Sequence, residues 1–468
     1  STMPTPMELD RLLAQVFLLG RPLGKLPPVK RWASCPDRLD LALDANATAF
    51  AAHMKRILDQ WEGSLDPFDD PVWTTRLQMV LDLMVLPAAV ILPVSHLGFD
   101  FQPYTLVHAD GSEEDCPPAS LLRPRAHPQP ADANGDTGPD PPQGPRIKVH
   151  GAVMALFGDR PRKAKTIITG HGTAPATEAT CEIMRGMHPA GGPPPSPPAA
   201  SGPQLQIDPS DAVDSLFREA GTTSNSVDVF GWAPDYLLPI RGMRDGPRPA
   251  FISQLARLKC LLSGEAPVHP GIVRALTCGS LSANHKLSPR EAAARDAQGL
   301  PPKLRPVNNG TILLKSAIGD AMDTPGYTKA RRSVEPIQHG LGVSDGAPKI
   351  AHSCRGTYLA GGAIGINDSA NAFNELDRQC MLEESPKRWP EGTSLVNRYY
   401  SEAAAVFYTW RDSAGRLHVT IISSETGARM GCKLGSALFD FGVHPVYETL
   451  ATRHPSFTIR ALTDDAHL

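Results

Sequence analysis

The chain has 468 residues, 41% of them apolar and 20% charged, with a net charge of −3 and a pI of about 6.6. That length allows two to four domains, and that composition sustains a packed core, which argues against a wholly unfolded chain. The near-neutral balance speaks against a dedicated nucleic-acid binder with a general basic surface and leaves room only for a local basic groove.

The eight cysteines are scattered, with no CxxC pair and no Cys/His cluster at zinc spacing. They read as reduced thiols of an intracellular protein, and Cys181 with His188 supplies only two ligands. No signal peptide is visible. The most apolar run, residues 83–94, is interrupted by Pro87 and Pro93 and is too short to span a bilayer.

In chain order, residues 1–116 are expected to be mostly helical. Residues 42–61 have helical character, and residues 72–85 repeat apolar side chains at helical spacing. No chemistry attaches to this region. Residues 117–147 have the Pro/Gly-rich composition of a linker. Residues 148–188 read as short helices carrying the densest basic cluster, Arg160, Arg162, Lys163 and Lys165, for which a solvated face is favoured over phosphate contact. Residues 189–206 form a second Pro-rich linker. A helix is expected over 207–220, opening on Asp208, Pro209 and Ser210. Residues 251–262 make an amphipathic helix that Gly264 suits as a cap. Further on, 417–422 reads as a strand, 434–450 as a helix and 457–462 as a strand. The expectation from about residue 207 onward is an α+β domain.

The chemistry-bearing pattern lies in that second half. Asp368 stands alone at the start of Asp-x-x-Asn-Ala-Phe-Asn, and a doublet, Asp464-Asp465, follows much later. An isolated acid at a strand end that meets a later acidic doublet can hold two divalent metals for in-line phosphoryl transfer. Ordered around these acids are Phe230-Gly231-Trp232, Lys303-Leu304-Arg305-Pro306-Val307, Gln338-His339-Gly340-Leu341-Gly342-Val343 and the glycine-bearing run from Gly427 to Phe439.

In that order the blocks resemble the reverse transcriptase domain of non-LTR retrotransposons, of a kind found in protists, over residues 148–468. The resemblance implies polymerase fingers over 207–362 and a partial palm over 363–468. It implies RNA-directed DNA synthesis with two Mg2+ ions, on an RNA template with a DNA primer and dNTPs. Asp368, Asp464 and Asp465 would then be the catalytic metal ligands. Lys303 and Arg305 would clamp the triphosphate, Phe373 would screen the sugar 2′ position, and Gly431 would let backbone approach the nucleotide. An active element of this kind works inside the cell, in the nucleus, and away from membranes.

The chain departs from the family at several points. Arg429 and Met430 replace two glutamines, Cys432-Lys433 replaces Asp-Pro, and Leu462 replaces the tyrosine before the doublet. Asn367 replaces an apolar residue before Asp368. Only three residues follow Asp465, fewer than the five or so of an ordinary strand, and the expected thumb is missing. These departures imply a truncated copy whose inherited metal site does not turn over. A second reading is a catalytically dead fingers-and-palm module that binds RNA or acts as a scaffold.

Overall fold

The computed structural model describes residues 3–25, 70–91, 102–119, 172–192, 195–198, 205–208, 227–233, 248–263 and 268–467, with a few isolated positions between them. The basic cluster Arg160–Lys165, Gly264, most of both linkers and most of the helices expected over 42–61 and 207–220 lie outside the described residues.

The fold is α+β. A six-stranded mixed sheet runs in the order β2-β1-β7-β6-β3-β4. Its strands are β1 (Tyr104–Val107), β2 (Glu113–Cys116), β3 (Gly279–His285), β4 (Leu304–Gly310), β6 (Ala404–Arg411) and β7 (Leu417–Ser424). A second, three-stranded sheet has the order β5-β9-β8, from β5 (Ile366–Asp368), β8 (Arg460–Leu462) and β9 (Asp465–His467).

The longest ladder, β6 against β7, is buried on both faces; β6 is mostly apolar, while β7 also buries His418, Thr420 and Ser424. Ala405 and Phe407 face a core built with the helices Pro6–Gly20, Asp70–Ile91, Arg248–Ser263 and Pro270–Thr277. Val406, Tyr408 and Trp410 face the opposite side, against Cys181 and Met184 of the helix Glu178–Gly186. A third core joins the helices Ile312–Met322, Pro325–Arg332, Arg378–Arg388, Thr393–Tyr400 and Gly435–Arg453.

Several sequence expectations hold with adjusted bounds. The helix expected over 251–262 is Arg248–Ser263, but it is buried around most of its circumference instead of on one face; the strand at 417 extends to Ser424, and the following helix is Gly435–Arg453. The strand expected from residue 457 starts only at Arg460. The described part of the N-terminal region is mostly helical and also supplies two short strands: β1 and β2 form an antiparallel hairpin, with Tyr104 opposite Cys116, and β1 adds to the main sheet in parallel with β7. It packs on later segments, with Phe17 stacked on Phe407 of β6 at 5.3 Å and Trp232 Nε1 donating to the Leu83 carbonyl at 2.8 Å. The apolar helix is also longer than the run at 83–94 suggests. Residues Trp73–Ile91 are apolar enough to cross a bilayer by length and composition, with 61% of the window buried inside the protein.

Candidate active site: an acidic three-stranded sheet

The small sheet is assembled from two distant parts of the chain. β8 and β9 form a hairpin in which Leu462 pairs with Asp465, so Thr463 and Asp464 make a two-residue turn. β9 then pairs with β5, Asp465 lying directly opposite Asp368. Three residues are enough for this strand, contrary to the expectation from length, because β9 is central and is bonded on both edges. The outer edge of β8 is occupied as well: Ala461 N donates to Ile337 O at 2.8 Å and His339 N donates to Ala461 O at 2.7 Å.

One face of the hairpin is made of register partners Ala461 and Ala466, which pack with Tyr447 and Ile459 and against Val443 and Leu450 of the helix Gly435–Arg453. Side chains alternate along a strand, so Asp465 and its partner Asp368 share the opposite face. Both are exposed, while Asp464 at the turn is half-buried. Asn367 is exposed too, with Nδ2 3.4 Å from Ser369 Oγ, so its polar side chain needs no buried partner.

The turn is strained and clamped. Thr463 has φ +59°, a left-handed conformation costly for a β-branched residue. The buried amide of Gln338 meets both ends of its peptide frame: Thr463 N donates to Gln338 Oε1 at 3.0 Å, and Gln338 Nε2 donates to Thr463 O at 3.1 Å. A side chain at Gly340 would strike Thr463, which explains the glycine two residues after Gln338. The block around Gln338 therefore supports the hairpin.

The acids crowd one another. Burial raises the Asp464 carboxyl above its ordinary range, Asp465 and Asp368 raise it further, and Lys286 opposes them. Near enough to feel the charge of Asp464 is Asp440, on the helix Gly435–Arg453. Its carboxyl is fully buried with neither oxygen bonded to any described residue. Burial, with the nearby charge of Asp464, pushes it up to about 8.

Among the described residues, no group of three or more His, Cys, Asp or Glu side chains is drawn together as a ready metal cage. The donor set at the acidic face nevertheless consists of hard carboxylate oxygens, as Mg2+ requires, and the crowding that lifts Asp464 is what a bound cation relieves.

The other expected site residues distribute as follows. Lys303 and Arg305 are exposed on the β3–β4 hairpin, where Lys286 N donates to Lys303 O at 2.9 Å. The same hairpin thus brings Lys286, which acts on Asp464. Phe373 is half-buried and stacks on Phe439, with ring centroids 5.1 Å apart. Ala428 N donates to Phe373 O at 2.7 Å, tying the loop before the long helix to the block containing Asp368. Gly431, at φ +103°, lies against the Asn308 carbonyl of β4, and Asn308 N donates to Met430 O at 2.9 Å. Its close backbone approach is therefore to a strand of the protein itself. Arg429 turns inward, donating to Tyr399 O at 2.9 Å with its guanidinium 4.2 Å above the Tyr400 ring.

Sequence reasoning assigned no role to Lys286, Asp440 or Gln338 individually. Asp440 carried a visible signal, an acid inside the apolar run Leu438-Phe439-Asp440-Phe441. Lys286 carried none, since a lysine in a polar turn is ordinary. Searches against protein-family models and curated proteins give no match for this chain.

Proposed function

We propose that the chain is the fingers and part of the palm of an RNA-directed DNA polymerase of the non-LTR retrotransposon kind. What supports this reading above all is the register pair Asp368–Asp465 with Asp464 at the adjoining turn. Asp368 and the doublet Asp464-Asp465, about a hundred residues apart in sequence, meet on one small sheet. The supporting blocks contact it or each other: Gln338 and Gly340 hold the turn, and the loop at Ala428 bonds Phe373.

In this reading Asp368 and Asp464, with Asp465 beside them, hold Mg2+, which when bound supplies activation of a primer 3′ hydroxyl and charge neutralisation at the departing pyrophosphate. The chain's own residues position and screen. Lys286 places positive charge beside the acids, Lys303 and Arg305 stand on the same hairpin for triphosphate contact, and Phe373 is fixed by its stack on Phe439. Turnover by this chain is expected to be weak. Positions that would touch template and nucleotide hold Met430, Lys433 and Leu462, and Arg429 is committed to the interior.

The test combines two readouts. Mn2+ or Mg2+ should raise the thermal unfolding temperature, and Asp464→Ala should remove that rise. Primer extension on an RNA template with dNTPs should be slight. Robust extension that Asp464→Ala abolishes would establish an active polymerase and overturn the expectation of weak turnover. A chain that neither responds to the cation nor extends a primer would count against the metal site altogether.

The alternative, an RNA-binding or scaffolding module without catalysis, is favoured by one observation. The altered loop is secured inward by Arg429 and is not held open toward a substrate. It predicts RNA binding that survives Asp368→Ala.

A further inference from the structure

The helix Gly346–Leu359 lies against β8 and buries only Gly346 and Ile350. Its remaining surface has an unusual charge pattern for a chain of net charge −3. Between Asp345 and Asp368 there is no acidic residue, while Lys349, His352 and Arg355 recur at every third position, all exposed. Residues three apart are neighbours on a helix surface, so the three form one row. No ion pair to a carboxylate engages Lys349 or Arg355 among the described residues.

The row leads to a patch of exposed apolar surface. Tyr358, Leu359 and Ile366 are 71%, 74% and 72% exposed, the most exposed large apolar side chains among the described residues. Gly361, at φ +80°, turns the chain out of the helix toward β5. There Ile366 and Asp368, two residues apart, share one strand face. Two cations, Lys349 and Arg355, with His352 between them, therefore lead to an aromatic ring close in sequence to the acidic face.

Two exposed cations on one helix face suit successive phosphates of a nucleic-acid backbone, and an outstanding ring offers a face on which a base can stack. Such stacking requires an unpaired base, which favours a single strand over a duplex. The absence of acids over this stretch makes the complementarity to phosphate local, within a chain whose overall charge would not attract a polyanion.

We infer that the helix Gly346–Leu359 is a docking surface for a single-stranded nucleic acid, with Lys349 and Arg355 meeting phosphates and Tyr358 stacking on a base. That the strand is an RNA template rests on the polymerase reading above; the docking surface itself stands on the helix.

The experiment uses the full chain and a labelled oligouridylate, with binding followed by fluorescence anisotropy over a range of salt. The logarithm of affinity should fall linearly with the logarithm of salt concentration. The double substitution Lys349→Gln/Arg355→Gln should make the slope shallower by about 1.4, from about 0.7 for each phosphate contact on a single strand. Tyr358→Ala should weaken binding roughly tenfold or more at every salt concentration without changing the slope. These side chains are exposed, so folding should be unaffected.

If the unchanged chain binds and all three substitutions leave both slope and affinity as they were, the strand docks elsewhere and the inference is wrong. Failure of the unchanged chain to bind, or equally tight binding of a duplex of the same length, overturns it too. Asp464→Ala, which removes the proposed metal site, should leave oligouridylate binding intact. The docking surface and the polymerase reading can thus fail separately.

Discussion

Gln338 and Thr463 lie 125 residues apart and are joined by two hydrogen bonds, at 3.0 and 3.1 Å. The Gln338 amide reproduces on the acidic turn what a neighbouring strand would supply, one acceptor and one donor. It holds Thr463 in a left-handed conformation and thereby fixes where Asp464 and Asp465 point.

Replacing Gln338 with Ala should cost about 1–3 kcal/mol, because a buried amide frame loses both partners. Hydrogen exchange at residues 460–467 should accelerate more than elsewhere. Thr463→Gly should recover part of the loss, since glycine adopts φ +59° without strain. Uniform acceleration across the chain would show that the clamp is not local.

The acids on the sheet face should destabilise the cation-free protein. Asp368 and Asp465 are direct cross-strand partners, and like charges so placed are unfavourable by a few tenths to about 1 kcal/mol. Asp368→Asn should therefore raise the denaturation midpoint in EDTA and lower it relative to the unchanged chain in Mn2+. The same sign in both media would refute a cation role for Asp368.

Asp440 should make stability depend on pH. Its folded carboxyl, pushed up to about 8, stays protonated where the unfolded chain has already ionised. Its contribution is thus fully present below about pH 4 and is lost as pH rises towards 8, by up to about 1.4 kcal/mol per unit. Asp440→Asn should flatten urea-denaturation stability over that window and stabilise the protein at pH 8. Parallel pH profiles for the two proteins would contradict this.

Arg378 is buried on the helix Arg378–Arg388 and donates to carbonyls of Glu402 at 3.0 Å, Ser424 at 2.7 Å and Gly427 at 3.1 Å. One rigid guanidinium thus anchors both the entrance to β6 and the loop after β7. Arg378→Met should cost more than about 3 kcal/mol by leaving several carbonyls unpaired. Arg378→Lys should recover little, because an ammonium cannot reproduce the planar fork. Equal stability of the Lys variant and the unchanged chain, measured in urea, would disprove the anchoring role.

Trp232 ties the N-terminal helices to the rest of the protein. It is 6% exposed, and Gly231 beside it, at φ +89°, lies directly against Gly20. Trp232→Ala should destabilise by about 3–5 kcal/mol and open the helix Asp70–Ile91 to proteases before the remainder. Unchanged digestion there would mean that this helix is held by other contacts.

Much of the architecture was legible because it depends on local pattern. The helices at 251 and 434 and the strand at 417 show as locally apolar-rich segments, and Asp368 and the doublet stand out by type and order. The β1–β2 hairpin was not legible. Glu113, Glu114 and Asp115 are poor strand formers, and they are held in β2 by pairing with β1 in a sheet already anchored on β7. Buried Asp440 and inward-turned Arg429 were equally hidden, since their surroundings come from distant segments.

The sequence by itself determined which acids are available, which blocks accompany them and in what order they occur. Tertiary structure decided that Asp368 pairs with Asp465, that three residues suffice for β9 and that Gln338 holds the turn. The physical reason is that strand pairing and burial are non-local. A three-residue strand has no stability of its own and exists only because hydrogen bonds reach it from both sides.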